Sequence, residues 1–145
     1  MKRRRIIFFP ASLLLASCQT TKPTPRSFYS YSGREQQLFD TVFRYMMRES
    51  PRPEFHLSLL DGDAPDDLIA NYRAEGIQAF NRSRRFRRGK CVGLSLLNHQ
   101  WIGRDEAKVG VDYYYAPLGA ISGTLRLRKN KEEWKIVGWD LGPVA

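Results

Sequence analysis

VGVDYYY, at residues 109 to 115, has the alternation of a half-buried β-strand, in which successive side chains point to opposite faces of a sheet. One face receives Val109, Val111, Tyr113 and Tyr115. The same period of two recurs from Ile121 to Arg128 and from Trp134 to Trp139. Between these two runs, Lys129 to Glu132 is a polar segment of the length that a hairpin turn needs. The three runs therefore predict consecutive antiparallel strands.

An earlier run, Val92 to Trp101, adds a fourth predicted strand. Its alternation breaks because Leu96 and Leu97 are both apolar, and a β-bulge near Asn98 accounts for the break. The sequence thus predicts a curved four-stranded antiparallel meander between Cys91 and Leu141. The preceding part of the chain is expected to cover this sheet or to tether it.

Two helices are predicted before the meander. Apolar residues recur at helical spacing from Glu35 to Arg48, which indicates an amphipathic helix, and the prolines that follow Ser50 end it. A short second helix is expected to end near Gly76, and Phe55 to Leu60 fits one extra strand. The predicted fold class is α+β, with the N-terminal amphipathic helix packed on the meander.

Length and composition favour one folded domain. The chain has 145 residues, of which 42% are hydrophobic and 12% aromatic, which is typical of a small globular protein. Its net charge is +9, and loss of the four basic residues near the N-terminus would leave +5. This modest charge permits association with anionic lipid or polymer, and no nucleic-acid partner is expected.

The N-terminus has the pattern of a secretion signal. MKRRR precedes an apolar run from Ile6 to Ala16, which is too short for the roughly 20 residues that cross a bilayer. Leu15-Ala-Ser-Cys18 resembles the lipobox of bacterial lipoproteins. The resemblance implies that Cys18 is acylated with diacylglycerol and becomes the first mature residue. The alternative is an ordinary signal peptide with an incidental cysteine.

These features divide the chain into three parts. Residues 1–17 are the predicted lipoprotein signal peptide, 18–33 a flexible tether rich in Thr, Pro and Ser, and 34–145 a single α+β domain. Gln19 follows the cysteine where an Asp would retain an enterobacterial lipoprotein in the inner membrane. We therefore expect an exported, membrane-anchored lipoprotein that faces the periplasm from the outer membrane, if the organism has one.

The densest charge feature is a segment between the second helix and the meander, residues 82–90, called the basic loop below. Its candidate anion-binding residues are Arg82, Arg84, Arg85, Arg87, Arg88 and Lys90. One interpretation is a solvated loop without a specific partner. The other is that the loop docks on an anionic surface with Phe86 as an apolar anchor. Internal neutralisation by the acidic residues between Asp61 and Asp67 is a further alternative.

Recognisable metal and catalytic motifs are not found in the sequence. The acidic residues after Leu60 do not fit a calcium loop, because Pro65 stands where a third ligand is needed. The two histidines, His56 and His99, are far apart and have no ligand pattern around them. We therefore expect no metal site, no cofactor and no catalytic residue.

Cys91 is the only thiol left once Cys18 is acylated, so the mature chain has no internal disulfide. It is expected to be a small buried side chain that reacts slowly. His99 lies eight residues further along the same predicted strand, about 26 Å away when extended, and so is too distant to activate Cys91.

Several segments together resemble a family of small exported bacterial proteins of unknown function. They are VFRY at 42–45, FHLSL at 55–59, DAPDDL at 63–68, VGLSL at 92–96, YYYAPLG at 113–119, GTLRLR at 123–128 and WKIV at 134–137. The resemblance covers most of residues 38–140 and implies no particular activity. At the level of the fold, the chain is similar to cystatin-like and nuclear-transport-factor-like domains, which serve many functions.

These observations favour an envelope lipoprotein with a non-enzymatic domain that binds an anionic envelope lipid or polymer, or an envelope protein. The alternative is a small-ligand or catalytic pocket between helix and sheet. Its candidate lining residues are Trp101, Tyr113, Tyr115 and Trp139. A filled space between helix and sheet would favour the first hypothesis, and an open, polar-lined cavity the second.

Overall fold

The computed structural model describes residues 26 to 144, except 61, 88 and 117. Its elements are a 3-10 turn Phe28–Ser30, α1 Gly33–Glu49, β1 Glu54–Leu59, β2 Gly62–Asp63, α2 Asp66–Ala74, β3 Gln78–Asn81, β4 Cys91–Trp101, β5 Glu106–Tyr115, β6 Gly119–Asn130 and β7 Glu133–Val144. The predicted α+β class is confirmed. Within these residues, no helix has the length and apolar character needed to span a bilayer. The predicted signal peptide, Cys18 and Arg88 lie outside the described residues.

One sheet of seven strands contains the predicted strands. Its order is β2-β1-β4-β5-β6-β7, with β3 also paired to β1. Strands β4 to β7 are antiparallel neighbours in chain order. The register shifts between Leu96 and Asn98, which confirms the predicted bulge. Lys131, in the two-residue connection between β6 and β7, has a positive φ of 57°.

The sheet is larger than the predicted four strands, so that strand count is wrong. Strand β1 corresponds to the extra strand expected from Phe55 to Leu60, and it pairs in parallel with β4. On its other side, β1 pairs in parallel with β3 and antiparallel with β2. The sequence analysis missed β2 and β3 because strands of two and four residues are too short to show a period.

Helix α1 begins with a capping box and supplies much of the core. The Ser32 hydroxyl accepts from the Glu35 backbone N–H at 3.2 Å, and the Glu35 carboxylate accepts from the Ser32 N–H at 2.9 Å. The fully buried side chains of the helix are Leu38, Phe39, Val42, Phe43 and Met46. They belong to one hydrophobic cluster with residues of α2 and of the sheet. The described residues therefore share a single core.

Residues 26 to 32, which the sequence analysis assigned to the flexible tether, are packed against α2. Phe28 is buried, and its backbone N–H donates to the Asp67 carboxylate at 2.9 Å. The Ser27 hydroxyl donates to the same carboxylate. Ser27 and Phe28 are therefore part of the folded domain, because an apolar side chain and a carboxylate anchor the segment.

Candidate functional site

Strands β1 and β4 bring together polar residues that are distant in sequence. In β1, Phe55, Leu57 and Leu59 belong to the hydrophobic cluster, while Glu54, His56 and Ser58 alternate with them. The parallel register places Cys91, Gly93 and Ser95 of β4 opposite these three polar residues, in that order. All of these polar side chains and Cys91 are buried. This face of the sheet is therefore covered, although it carries polar groups.

The basic loop provides part of the cover. The Phe86 ring centroid lies 5.2 Å from that of His56 and 5.6 Å from that of Tyr114. His56 and Tyr114 are the register partners on either side of Gly93. A Cβ atom at Gly93 would come within 3.3 Å of the Tyr114 Cβ, so only glycine fits without displacing its neighbour. Phe86 therefore packs on its own domain.

Arg87 and Cys91 both contact Glu54. The Cys91 thiol donates to the Glu54 carboxylate at 3.0 Å, and the Arg87 backbone N–H donates to the Cys91 sulfur at 3.3 Å. The Arg87 guanidinium forms an ion pair with Glu54. The hydrogen bond from Cys91, followed by the hydrogen bond and charge of Arg87, lowers the pKa of Glu54. Burial, together with the bond to Glu54, raises the pKa of Cys91, so the thiol is protonated at neutral pH.

His56 completes the group. The side chain is only 2% exposed, and its Nδ1 atom has no hydrogen-bond partner among the described residues. Burial is the main reason why its pKa is lowered, so the imidazole is neutral at pH 7. Ligand atoms of Glu54, His56 and Cys91 all lie within 4.8 Å of one another. We call these three residues the Glu-His-Cys cluster.

The cluster differs from what the sequence analysis expected. No metal site was expected there, and only His99 was considered as a partner for Cys91. In the structure, His99 contacts Phe39 and Trp101 instead, and its Nε2 lies 3.5 Å from a Glu35 carboxylate oxygen. The missed signal is a pair of alternating patterns, Glu54-x-His-x-Ser and Cys91-x-Gly-x-Ser. Each is short, and only the parallel register of β1 and β4 brings the two together.

Four other described cations of the basic loop are exposed. They are Arg82, Arg84, Arg85 and Lys90. Within the described part of the chain, none of these four has a carboxylate within 4.0 Å. Asp63 of the acidic segment contacts the backbone of the loop: its carboxylate accepts from the Ser83 backbone N–H at 3.0 Å. The Arg84 guanidinium lies 4.0 Å from the Phe80 ring centroid, which leaves its charge available.

The four aromatic residues predicted to line a pocket form two separate groups. Tyr113 stacks on Tyr115 at 6.2 Å and meets the edge of Trp139 at 5.8 Å. Trp101 instead lies 5.7 Å from Trp134, with the Arg34 guanidinium 3.8 Å from its ring. Tyr113 is only 6% exposed, so it contributes to the core. These contacts do not bring the four residues together around one cavity.

An apolar cleft lies on the flank of α1. Its volume is about 500 Å³, and its lining residues are Asp40, Thr41, Arg44, Met47, Arg48, Phe55 and Ile77. Arg44 bridges Asp40 and Glu75 through short ion pairs of 2.9 and 2.7 Å. The Tyr72 hydroxyl donates to Asp40 at 2.7 Å. This cleft contains a structural network that joins α1 to α2.

Comparison with protein-family models, curated proteins and solved structures finds no match for this chain.

Proposed function

We propose that this chain is an exported lipoprotein, anchored through Cys18, whose α+β domain is a non-enzymatic module that contacts the anionic lipid headgroups of the envelope. The leader pattern and the residues Leu15-Ala-Ser-Cys18 support the anchor. Gln19 supports a position at the outer membrane, facing the periplasm, in an organism that has one. The lipid anchor would keep the domain close to a membrane surface.

The packing between helix and sheet supports a binding role over catalysis at that interface. Five apolar side chains of α1 are completely buried there: Leu38, Phe39, Val42, Phe43 and Met46. Leu94, Val111 and Leu125 of the sheet are also completely buried. Side chains that are packed in this way leave no room for a substrate between them.

The observation that carries the proposal is the set of exposed cations, without a carboxylate partner among the described residues, on a loop whose centre is fixed. Phe86 and Arg87 hold the loop on the domain through His56 and Glu54. Arg84 and Arg85, directly before this anchor, are exposed. Ordering the loop in advance reduces the entropy that binding costs. Each exposed cation near an anionic surface contributes about 1 kcal/mol, and the tether raises the local concentration.

The test measures binding to vesicles that contain phosphatidylglycerol, with a soluble form that begins at Gln19 and keeps the whole core. Replacing Arg84 and Arg85 by Ser removes two cations and should weaken binding at low salt by roughly 30-fold. Arg87 is left unchanged because it pairs with Glu54. Circular dichroism verifies that each variant is folded.

The matched control replaces Lys108 and Lys135, two exposed lysines on β5 and β7, by Ser. Lys108 is six residues along β5 from Tyr114, roughly 20 Å from the basic loop's contact with that strand. This variant has the same net charge as the Arg84/Arg85 variant and should bind almost like the parent. Equal losses in the two variants would indicate nonspecific attraction. Absence of binding by the parent at low salt would contradict the proposal, and binding to an acidic polymer or to an envelope protein alone would replace lipid as the partner.

A further inference from the structure

The Glu-His-Cys cluster contains three different metal-ligand types on two paired strands. Glu54 and His56 alternate on β1, and Cys91 is the register partner of Glu54 on β4. The thiol and carboxylate already touch, at 3.0 Å. The third ligand atom, from His56, lies within 4.8 Å of both. Both strands belong to the sheet, so the positions of the three side chains are fixed by backbone pairing.

His56 gives independent evidence for a missing ligand. A buried imidazole nitrogen without a hydrogen-bond partner destabilises the folded state, and such atoms are rare in folded proteins. Among the described residues, Nδ1 of His56 has no hydrogen-bond partner. The same ring offers one of the three ligand atoms of the cluster. A bound cation would supply a partner for the imidazole. Packing of this face of the sheet does not by itself require buried polar side chains there.

We propose that Glu54, His56 and Cys91 bind a zinc ion, with Arg87 as the positive charge that neutralises Glu54 when zinc is absent. This proposal is independent of the proposed function. Three protein ligands leave the fourth tetrahedral position to water or to an external ligand. The sulfur and nitrogen ligands favour Zn²⁺ and disfavour Ca²⁺ and Mg²⁺, which select oxygen.

The distances are close to those that zinc requires. Zinc bonds of about 2.0–2.3 Å place tetrahedral ligand atoms about 3.3–3.6 Å apart. The Cys91 sulfur and Glu54 oxygen are separated by 3.0 Å and need only a small adjustment. The His56 ligand atom lies at most 4.8 Å from the other two, so it needs to approach them by no more than about 1.5 Å.

The charges balance when zinc replaces a proton and Arg87. In the metal-free site, the Cys91 thiol keeps its proton and donates to Glu54, while Arg87 pairs with the same carboxylate. Zinc binding forms the Zn–S bond, breaks the S–H bond and releases one proton to solvent. Zn²⁺, one thiolate and one carboxylate are then neutral together. Arg87, whose side chain is 61% exposed, is free to move into solvent.

The experiment uses the full chain with Cys18→Ser, purified in mild detergent, so that Cys91 is the only thiol. Co²⁺ is the spectroscopic probe, and Zn²⁺ affinity is measured by competition with a chromophoric chelator. The expected result is one metal ion per chain, a thiolate-to-cobalt charge-transfer band, d–d bands typical of four coordination, and release of one proton. Zinc should also protect Cys91 from alkylation.

Four variants distinguish a built site from an accidental one. Cys91→Ser should abolish the charge-transfer band, and His56→Gln should reduce affinity by at least about tenfold. His99→Gln, which removes the other histidine near a carboxylate, should leave both unchanged. Arg87→Gln should bind zinc roughly fivefold more tightly, because it removes a competing cation. A purely structural role for the cluster would not produce this increase.

Several outcomes would overturn the proposal. They are the absence of the charge-transfer band in the parent, equal losses in the His56 and His99 variants, and zinc affinity that is unchanged by Cys91→Ser. If the Cys91 and His56 variants do not fold, the effect of zinc on the alkylation rate of Cys91 in the parent decides. Failure of zinc to slow that alkylation would then contradict a Cys91 ligand. Vesicle binding in zinc-free buffer is measured separately, so either proposal can fail without the other.

Discussion

Removal of the Phe86 ring should expose Cys91. The ring packs between His56 and Tyr114, with centroids at 5.2 and 5.6 Å, and Arg87 beside it contacts the Cys91 sulfur. Each aromatic pair contributes about 0.5–1.5 kcal/mol, so the loss of two pairs in Phe86→Ala should favour the open loop by about 1–3 kcal/mol. That change raises the open population by about 5- to 160-fold. When the loop opens and closes faster than labelling, the alkylation rate rises by the same factor.

The assay follows native-state alkylation of Cys91 in the Cys18→Ser chain with excess chelator, so that metal does not protect the thiol. Leu118→Ala is the control, because this side chain is 77% exposed and its truncation should leave the rate unchanged. The parent should react slowly, since Cys91 is completely buried. A parent rate near that of a free thiol, or equal rates in the parent and the Phe86 variant, would refute the reasoning.

Three further predictions concern the core, the N-terminal segment and the anchor. Phe43→Ala should lower the free energy of unfolding by about 3–5 kcal/mol in urea titrations, because the ring is fully buried, and a change below about 1 kcal/mol would contradict its place in the core. Asp67→Ala should speed tryptic cleavage at Arg26, because Ser27 and Phe28 lose their acceptor, and an unchanged rate would show that Asp67 does not hold the segment. Burial raises the pKa of Asp67, but hydrogen bonds from Ser27, Phe28 and Leu68 outweigh burial, so the pKa is lowered in the folded state. The stabilisation that Asp67 provides is therefore present above about pH 4 and is lost as the pH falls through the folded-state pKa. Cys18→Ser should prevent lipid modification and release the protein from membranes or stall its processing, and normal processing with unchanged membrane fractionation would contradict the lipoprotein hypothesis.

The local elements of the fold were predictable because their signals are periodic. Helix α1 buries the side chains that recur at helical spacing from Leu38 to Met47. The second helix was expected to end near Gly76, and the structure ends it at Ala74, with a φ of 83° at Gly76. The bulge between Leu96 and Asn98 followed from two adjacent apolar residues. Each of these features depends on neighbours in sequence.

The Glu-His-Cys cluster was not predictable in the same way. Glu54 and Cys91 are 37 residues apart, and only the parallel register of β1 and β4 makes them partners. A shift of one residue would turn either side chain to the opposite face. The burial of Phe28 was missed for a similar reason, because its acceptor Asp67 lies 39 residues further along. Single apolar or polar residues in irregular segments carry no periodic signal.

The basic loop has one property that the sequence predicts and another that it does not. Its charge is evident from the sequence, and exposure of Arg84 and Arg85 follows from the cost of burying unpaired cations. The pairing of Arg87 with Glu54 could not be foreseen, because no carboxylate lies near it in sequence. Since Phe86 and Arg87 contact their own domain, fewer than the six predicted cations of the basic loop are available to a partner.

Hydrogen–deuterium exchange of the soluble form, with and without anionic vesicles at low salt, tests most directly whether the basic loop is the contact surface. The account predicts that backbone amides from Ser83 to Lys90 exchange more slowly with phosphatidylglycerol vesicles. The same amides should be unaffected by neutral phosphatidylcholine vesicles or by anionic vesicles at high salt. Protection confined to other parts of the domain, with exchange in the basic loop unchanged, would contradict the account.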